Sequence, residues 1–180
     1  MTTAILLFHP ITKRNRMKNS NKNLSLLAVS APLLFLFGCG NDLEKQVAGS
    51  WTCESTVQEK DTRIKTKSDV EYAQDGTLSM ETELDIGFPP NFRKQLKLPK
   101  SIVVKVQGSG NWTVVDDNTI DETAVIQVVS MSPNLPVLKR FVDKMDGQDA
   151  SRKLKIESID EHNMTAIHLG KNSTENCSKN

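Results

Sequence analysis

The 180-residue chain has few of the residues from which active sites are usually built. Only three histidines are present, and only His162 and His168 fall beyond the N-terminal forty residues. Neither has a second histidine or a cysteine at metal-ligand spacing, so the sequence nominates no zinc site and no other metal. No serine stands in a nucleophile elbow, because Gly108-Ser109-Gly110 lacks both the spacing and the strand-to-helix setting of one. The same glycines are not followed by the Lys-Ser/Thr of a phosphate loop. Aromatics are sparse, at 5% of the chain, too few to make the base-stacking platform among Lys and Arg that nucleic-acid binding needs. There is no apolar run of the roughly 20 residues that a membrane-spanning helix needs. Catalytic residues, cofactors and nucleic-acid partners are therefore not expected, and the chain reads as a non-enzyme.

Charge is also less balanced than the formal +1 implies. Five of the 23 basic residues, Lys13, Arg14, Arg16, Lys18 and Lys22, lie near the N-terminus, where no acid accompanies them. Beyond Cys39 the chain holds 18 basic against 22 acidic residues, a net of −4. Such a surface gives no general attraction for nucleic acid or anionic lipid.

What is present begins with that basic N-terminus. An apolar segment over residues 24–37 comes next, then the small Gly38 and Cys39, which is the layout of a secretory signal. Pro32 and the basic flank argue against a buried core helix there. The run Leu36-Phe37-Gly38-Cys39 resembles the lipobox of bacterial lipoproteins. That resemblance implies a diacylglyceride on the Cys39 thiol, cleavage just before it and acylation of the new terminus. More than one acyl chain makes a stable anchor where a single chain is marginal. The family's inner-membrane retention signal is an aspartate after the cysteine, and Gly40 stands there instead, which implies an outer-membrane anchor facing the periplasm. Met17-Lys18 reads as a natural start for the leader. The expected organisation is a leader over 1–38, a lipidated tether over 39–46, one domain over 47–177 and a tail over 178–180.

With Cys39 assigned to lipid, Cys53 and Cys177 remain, one near each end of the mature chain. An exported protein meets an oxidising compartment, so these two are expected to form a disulfide.

The mature chain reads as strands. Ile64, Thr66, Ser68, Val70 and Tyr72 alternate with charged neighbours, and Leu78, Met80, Thr82, Leu84 and Ile86 repeat the pattern after a Gln74-Asp75-Gly76 turn. A long strand over 102–115 carries Gly108 and Gly110, where a bulge or bend is expected, and Asp116-Asp117-Asn118 turns it back. Val137, Leu138, Phe141, Val142 and Met145 have helical spacing. A last hairpin turns about Glu161-His162-Asn163, leaving a polar tail with Cys177. Short strands and tight turns fit a sandwich or a closed barrel.

Several motifs narrow that choice. Gly49-Ser50-Trp51 resembles the Gly-x-Trp opening of lipocalin-like domains, Tyr72-Ala73-Gln74-Asp75-Gly76-Thr77 their hairpin, and Gly110-Asn111-Trp112 a later strand. The resemblance implies a mainly β fold, an antiparallel up-and-down barrel of seven to eight strands with one short helix. It also implies that Trp51 plugs one end, and a structural part is expected of Trp112 as well.

Two functions from different classes are open to such a chain. In one, the barrel holds a small lipophilic ligand. In the other, the barrel is filled and the protein works on envelope maintenance or on an envelope protein through its surface. The loop over 87–100, with Phe88, Phe92, Arg93 and Lys94, is the candidate binding patch on an otherwise acidic domain. The carboxylate pairs Asp116-Asp117, Asp121-Glu122 and Asp160-Glu161 read as solvated turn residues, and His162 likewise.

Overall fold

The computed structural model describes residues 42–59, 61–171 and 173–180. The leader and Cys39, the expected lipidation residue, lie outside the described residues.

Eight antiparallel strands run in sequence order around a closed barrel: β1 (Gly49–Glu59), β2 (Thr62–Tyr72), β3 (Thr77–Gly87), β4 (Ser101–Asp116), β5 (Thr119–Ser132), β6 (Gln148–Ile159), β7 (Asn163–His168) and β8 (Ser173–Lys179). Each strand pairs with its sequence neighbours and β8 returns to β1, so no sheet edge is left open. Alternation of side chains puts Trp51 and Cys53, then Ile64, Val70 and Tyr72, then Leu78 and Leu84 on the inner wall. These join Val104, Ile120, Ile126, Leu154, Ile156 and Met164 in one buried core.

Among the described residues three short helices accompany the strands, against the one expected: α1 (Asp42–Val47), α2 (Pro90–Leu96) and α3 (Pro136–Val142). The end of the expected tether is α1, which buries Leu43 and Val47 against the core beneath Trp51. The Trp51 indole N–H donates to the Val47 carbonyl at 2.8 Å, and Lys179 Nζ stands 5.0 Å from the ring centre. Trp112 is buried as well; its indole N–H donates to the Ala73 carbonyl at 2.9 Å. At the opposite end of the barrel, α2 links β3 to β4 and α3 links β5 to β6. Leu135, Leu138 and Phe141 pack half-buried against the core from the α3 side.

The turns form as their residues dictate. Asp75 Oδ1 accepts from the Thr77 amide and hydroxyl while Gly76 takes φ 83°, a left-handed conformation that glycine adopts without penalty. Asp116 and Asp160 play the same part at the next two tight turns. Two expectations need correction. The register of β4 shifts between Lys105 and Val106 and near its end, not at Gly108–Gly110. Gly110 is there because β5 comes so close: a Cβ would lie 1.8 Å from the Thr123 carbonyl oxygen. The polar tail is the closing strand β8, whose inner face is Ser173, Glu175 and Cys177. Cys177 pairs directly with Cys53 across the β1–β8 seam, and the two form the expected disulfide over a separation of 124 residues.

Candidate functional site

Inside the barrel, hydrophobic packing is interrupted by one charged cluster. Glu122 on β5 faces Arg152 on β6 directly across the ladder, and Glu175 projects inward from β8. Both carboxylates are 2% exposed and Arg152 is 22% exposed. The Arg152 Nε–H bonds Glu122 Oε2, and its Nη1 lies 3.4 Å from Glu175 Oε2. Tyr72, also buried, donates its hydroxyl to Glu122 Oε1 at 2.6 Å, and its ring meets that of Trp112 edge-on at 5.3 Å. His168 Nε2 sits 2.9 Å from Glu175 Oε2, within ion-pair range but off the line of a good hydrogen bond.

These groups shape one another's protonation. Burial alone would raise the Glu175 carboxyl, but the Arg152 guanidinium and then His168 outweigh it and hold Glu175 at about 2. Burial likewise works against the Arg152 charge, and the two carboxylates overcome it and raise its pKa. Tyr72 is raised by burial first and by the Glu122 carboxylate second, so its phenol stays a donor. The cluster is a closed ion network in which the cation is engaged by two anions. Among the described residues, Cys53, Glu175 and Cys177 bring potential metal-ligand atoms within 4.8 Å of one another, and two of the three are joined in the disulfide.

This cluster is absent from the sequence reading. Glu122, expected to be a solvated turn residue beside Asp121, is a buried strand residue instead. The signal that could have found it is phase: Glu122 stands in step with Ile120, Ala124 and Ile126, and Arg152 with Ala150 and Leu154. His168 is half-buried next to the cluster, whereas His162 is exposed in its turn as expected.

Outside the barrel, the candidate patch divides. Phe92 is 47% exposed and Lys94 is exposed. Phe88 is half-buried against the core, and Arg93 is half-buried. Phe88 and Arg93 converge with Arg63 and Lys65 of β2, Asp85 of β3 and Lys100 on a cleft of about 420 Å³ that also touches Asp61 in the β1–β2 turn. Phe92 and Lys94 are not part of its lining. Local backbone bonds hold the cleft's roof: α2 opens with Pro90 at its first position, Lys97 ends it in a left-handed conformation, and Leu98 N–H returns to the Arg93 carbonyl at 3.0 Å. Phe88 N–H bonds the Lys100 carbonyl at 3.0 Å, closing the base of the loop. Two further concavities lie along the outer wall, one lined by Asp69, Glu71, Glu81 and Gln107, the other by Glu54, Lys67 and Glu83 among others.

No protein-family model matches the chain, and no curated protein is significantly similar to it.

Proposed function

We propose that this chain is a lipocalin-like lipoprotein of the bacterial envelope whose barrel is filled by its own side chains and which acts through its outer surface, around α2. The observation that carries this reading is the make-up of the inner wall: apolar side chains meet in one core, and the Tyr72–Glu122–Arg152–Glu175 network is set among them. A lipophilic guest gains nothing from a buried ion network, and Arg152, already bound to two carboxylates, is not free for the guest's headgroup. The outer wall, by contrast, carries the cleft beside α2. In this reading Cys39 bears the lipid, the barrel faces the periplasm from the outer membrane, and the protein performs no catalysis.

A second reading, a carrier of a small lipophilic molecule, draws support from Met80, Val128 and Met131, which are only half-buried against the core. An eight-stranded barrel is just wide enough to hold one small ligand. Native mass spectrometry separates the two. The chain from Asn41 onward, which contains the whole barrel, is exported to a periplasm and purified without detergent. A bare mass supports the filled barrel, and added mass that denaturation releases as a lipophilic molecule overturns it in favour of the carrier.

A further inference from the structure

The cleft beside α2 has a composition that narrows its ligand, and this inference deepens the surface reading by naming what binds there. Four cations, Arg63, Lys65, Arg93 and Lys100, converge on it within a domain that is otherwise acidic. They call for an anionic group, and two of them are arginines able to grip a carboxylate or phosphate with paired hydrogen bonds. A bare anion does not satisfy the site, however, because Asp85 also lines it. Asp85 Oδ1 and Arg93 Nε are both buried, and neither has a hydrogen-bond partner among the described residues. One is an acceptor and the other a donor. Buried polar atoms are almost always partnered, so an unmatched donor and acceptor in one cleft mark a place for a molecule that supplies both complements. Both side chains are only half-buried and line the cleft, so each also presents other polar atoms to it. Phe88 adds an apolar face beside them, and about 420 Å³ is near the lower end of small-molecule sites.

We propose that the cleft between α2 and the outer wall of β2–β3 binds an acidic sugar, a hydroxylated ring carrying a carboxylate or a phosphate. The anionic group meets Arg93 and its neighbouring cations. Ring hydroxyls donate to Asp85, and the C–H face of the ring lies on Phe88. A neutral sugar lacks the first contact, and inorganic phosphate lacks the ring that makes the other two.

The test is a titration of the chain from Asn41 onward, followed by calorimetry and by backbone amide shifts, with glucose 6-phosphate, glucuronate, glucose and inorganic phosphate in parallel. Glucose 6-phosphate or glucuronate is expected to bind saturably, with shifts at Gly87, Phe88 and Ser101, and the stronger of the two identifies the anionic group. Glucose is expected not to bind. Inorganic phosphate is expected to bind at least about tenfold more weakly than the sugar phosphate, the loss that one charge-assisted hydrogen bond entails. Arg93→Gln should weaken acidic-sugar binding by about tenfold or more, and Asp85→Asn should narrow the gap between glucose 6-phosphate and inorganic phosphate. Equal binding of phosphate and sugar phosphate overturns the proposal. So does an Arg93→Gln variant that binds like the parent, or a flat titration with both acidic sugars, including the case where Arg93 serves an acidic protein instead. A flat titration leaves the filled barrel standing, whereas a lipid found in the native mass spectrum ends the surface reading whatever these titrations give.

Discussion

Two charged clusters in this molecule, one inside the barrel and one on its outer surface, obey different rules. Inside, Glu122, Arg152 and Glu175 are buried with their partners supplied by three different strands, and Tyr72 adds a donor from a fourth. Outside, Arg63, Lys65, Arg93 and Lys100 converge with Asp85 on a cleft where a donor and an acceptor have no mate among the described residues. In the inner cluster both carboxylates are engaged by the Arg152 guanidinium, and His168 Nε2 at its margin is left without a hydrogen bond. The outer one is incomplete and open to solvent, which is the condition for binding something else. Charge composition alone does not distinguish the two clusters; whether the carboxylates and guanidinium are paired with one another does.

The sharpest way to break the comparison is to open the inner cluster. Arg152→Met strands two carboxylates in the core, and the expected loss is about 3–5 kcal/mol, seen as a fall in the urea midpoint. Adding Glu122→Gln and Glu175→Gln to the same chain should restore part of it, because the charges needing the guanidinium are then gone.

Next in size is the disulfide. Cys53→Ala with Cys177→Ala frees a loop spanning 124 residues, for which chain entropy gives about 4–5 kcal/mol and measured losses run about 2–5. Thermal melts with and without a thiol reductant check it: the parent should lose stability on reduction and the double variant should not respond.

Acid comes third. Glu175 is held at about 2 in the folded chain against an ordinary 4.5, so the unfolded chain takes up its proton first as pH falls. Its contribution is complete above pH 4.5 and is lost as the pH drops from there through about 2, a loss of about 3 kcal/mol at most. Denaturant midpoints measured down that range should slope, and Glu175→Gln should flatten the slope.

The smallest expected effect is on the outer side. Arg93→Gln should change stability by no more than about 0.5 kcal/mol, since it interrupts no ion pair within the chain among the described residues, while its sugar binding falls. A large loss of stability in this variant would make the two clusters alike.

Much of the barrel is legible in the sequence because β2 and β3 alternate cleanly and Asp75-Gly76 and Asp116-Asp117-Asn118 are turn chemistry. Trp51 at a barrel end and the Cys53–Cys177 pairing are equally legible. The missing parts share a cause. Alternation arguments send charged residues to solvent, and that rule holds only until a partner arrives from elsewhere in the chain. Glu122 and Arg152 lie 30 residues apart, so neither side chain announces the other locally. β8 reads as a tail for the same reason: its inner face is serine, glutamate and cysteine, and only Arg152, His168 and Cys53 make that face an interior one. At the outer cleft, Phe88 and Arg93 stand out in the sequence, but Arg63, Lys65 and Asp85 reach it from strands whose outward positions look alike.

The position of the disulfide also has a mechanical meaning. A pull on the segment leading into α1 loads β1 at its first residue and tends to peel it away from β2 and β8 like a zipper. Only Trp51 and Thr52 of β1 pair with β8 before the pull meets Cys53, where the covalent link to Cys177 arrests the peeling and passes the load to the last strand. Peeling of β1 thus stops short of the pairs it makes with Lys65 and Arg63, which lie beyond the crosslink at the cleft's edge.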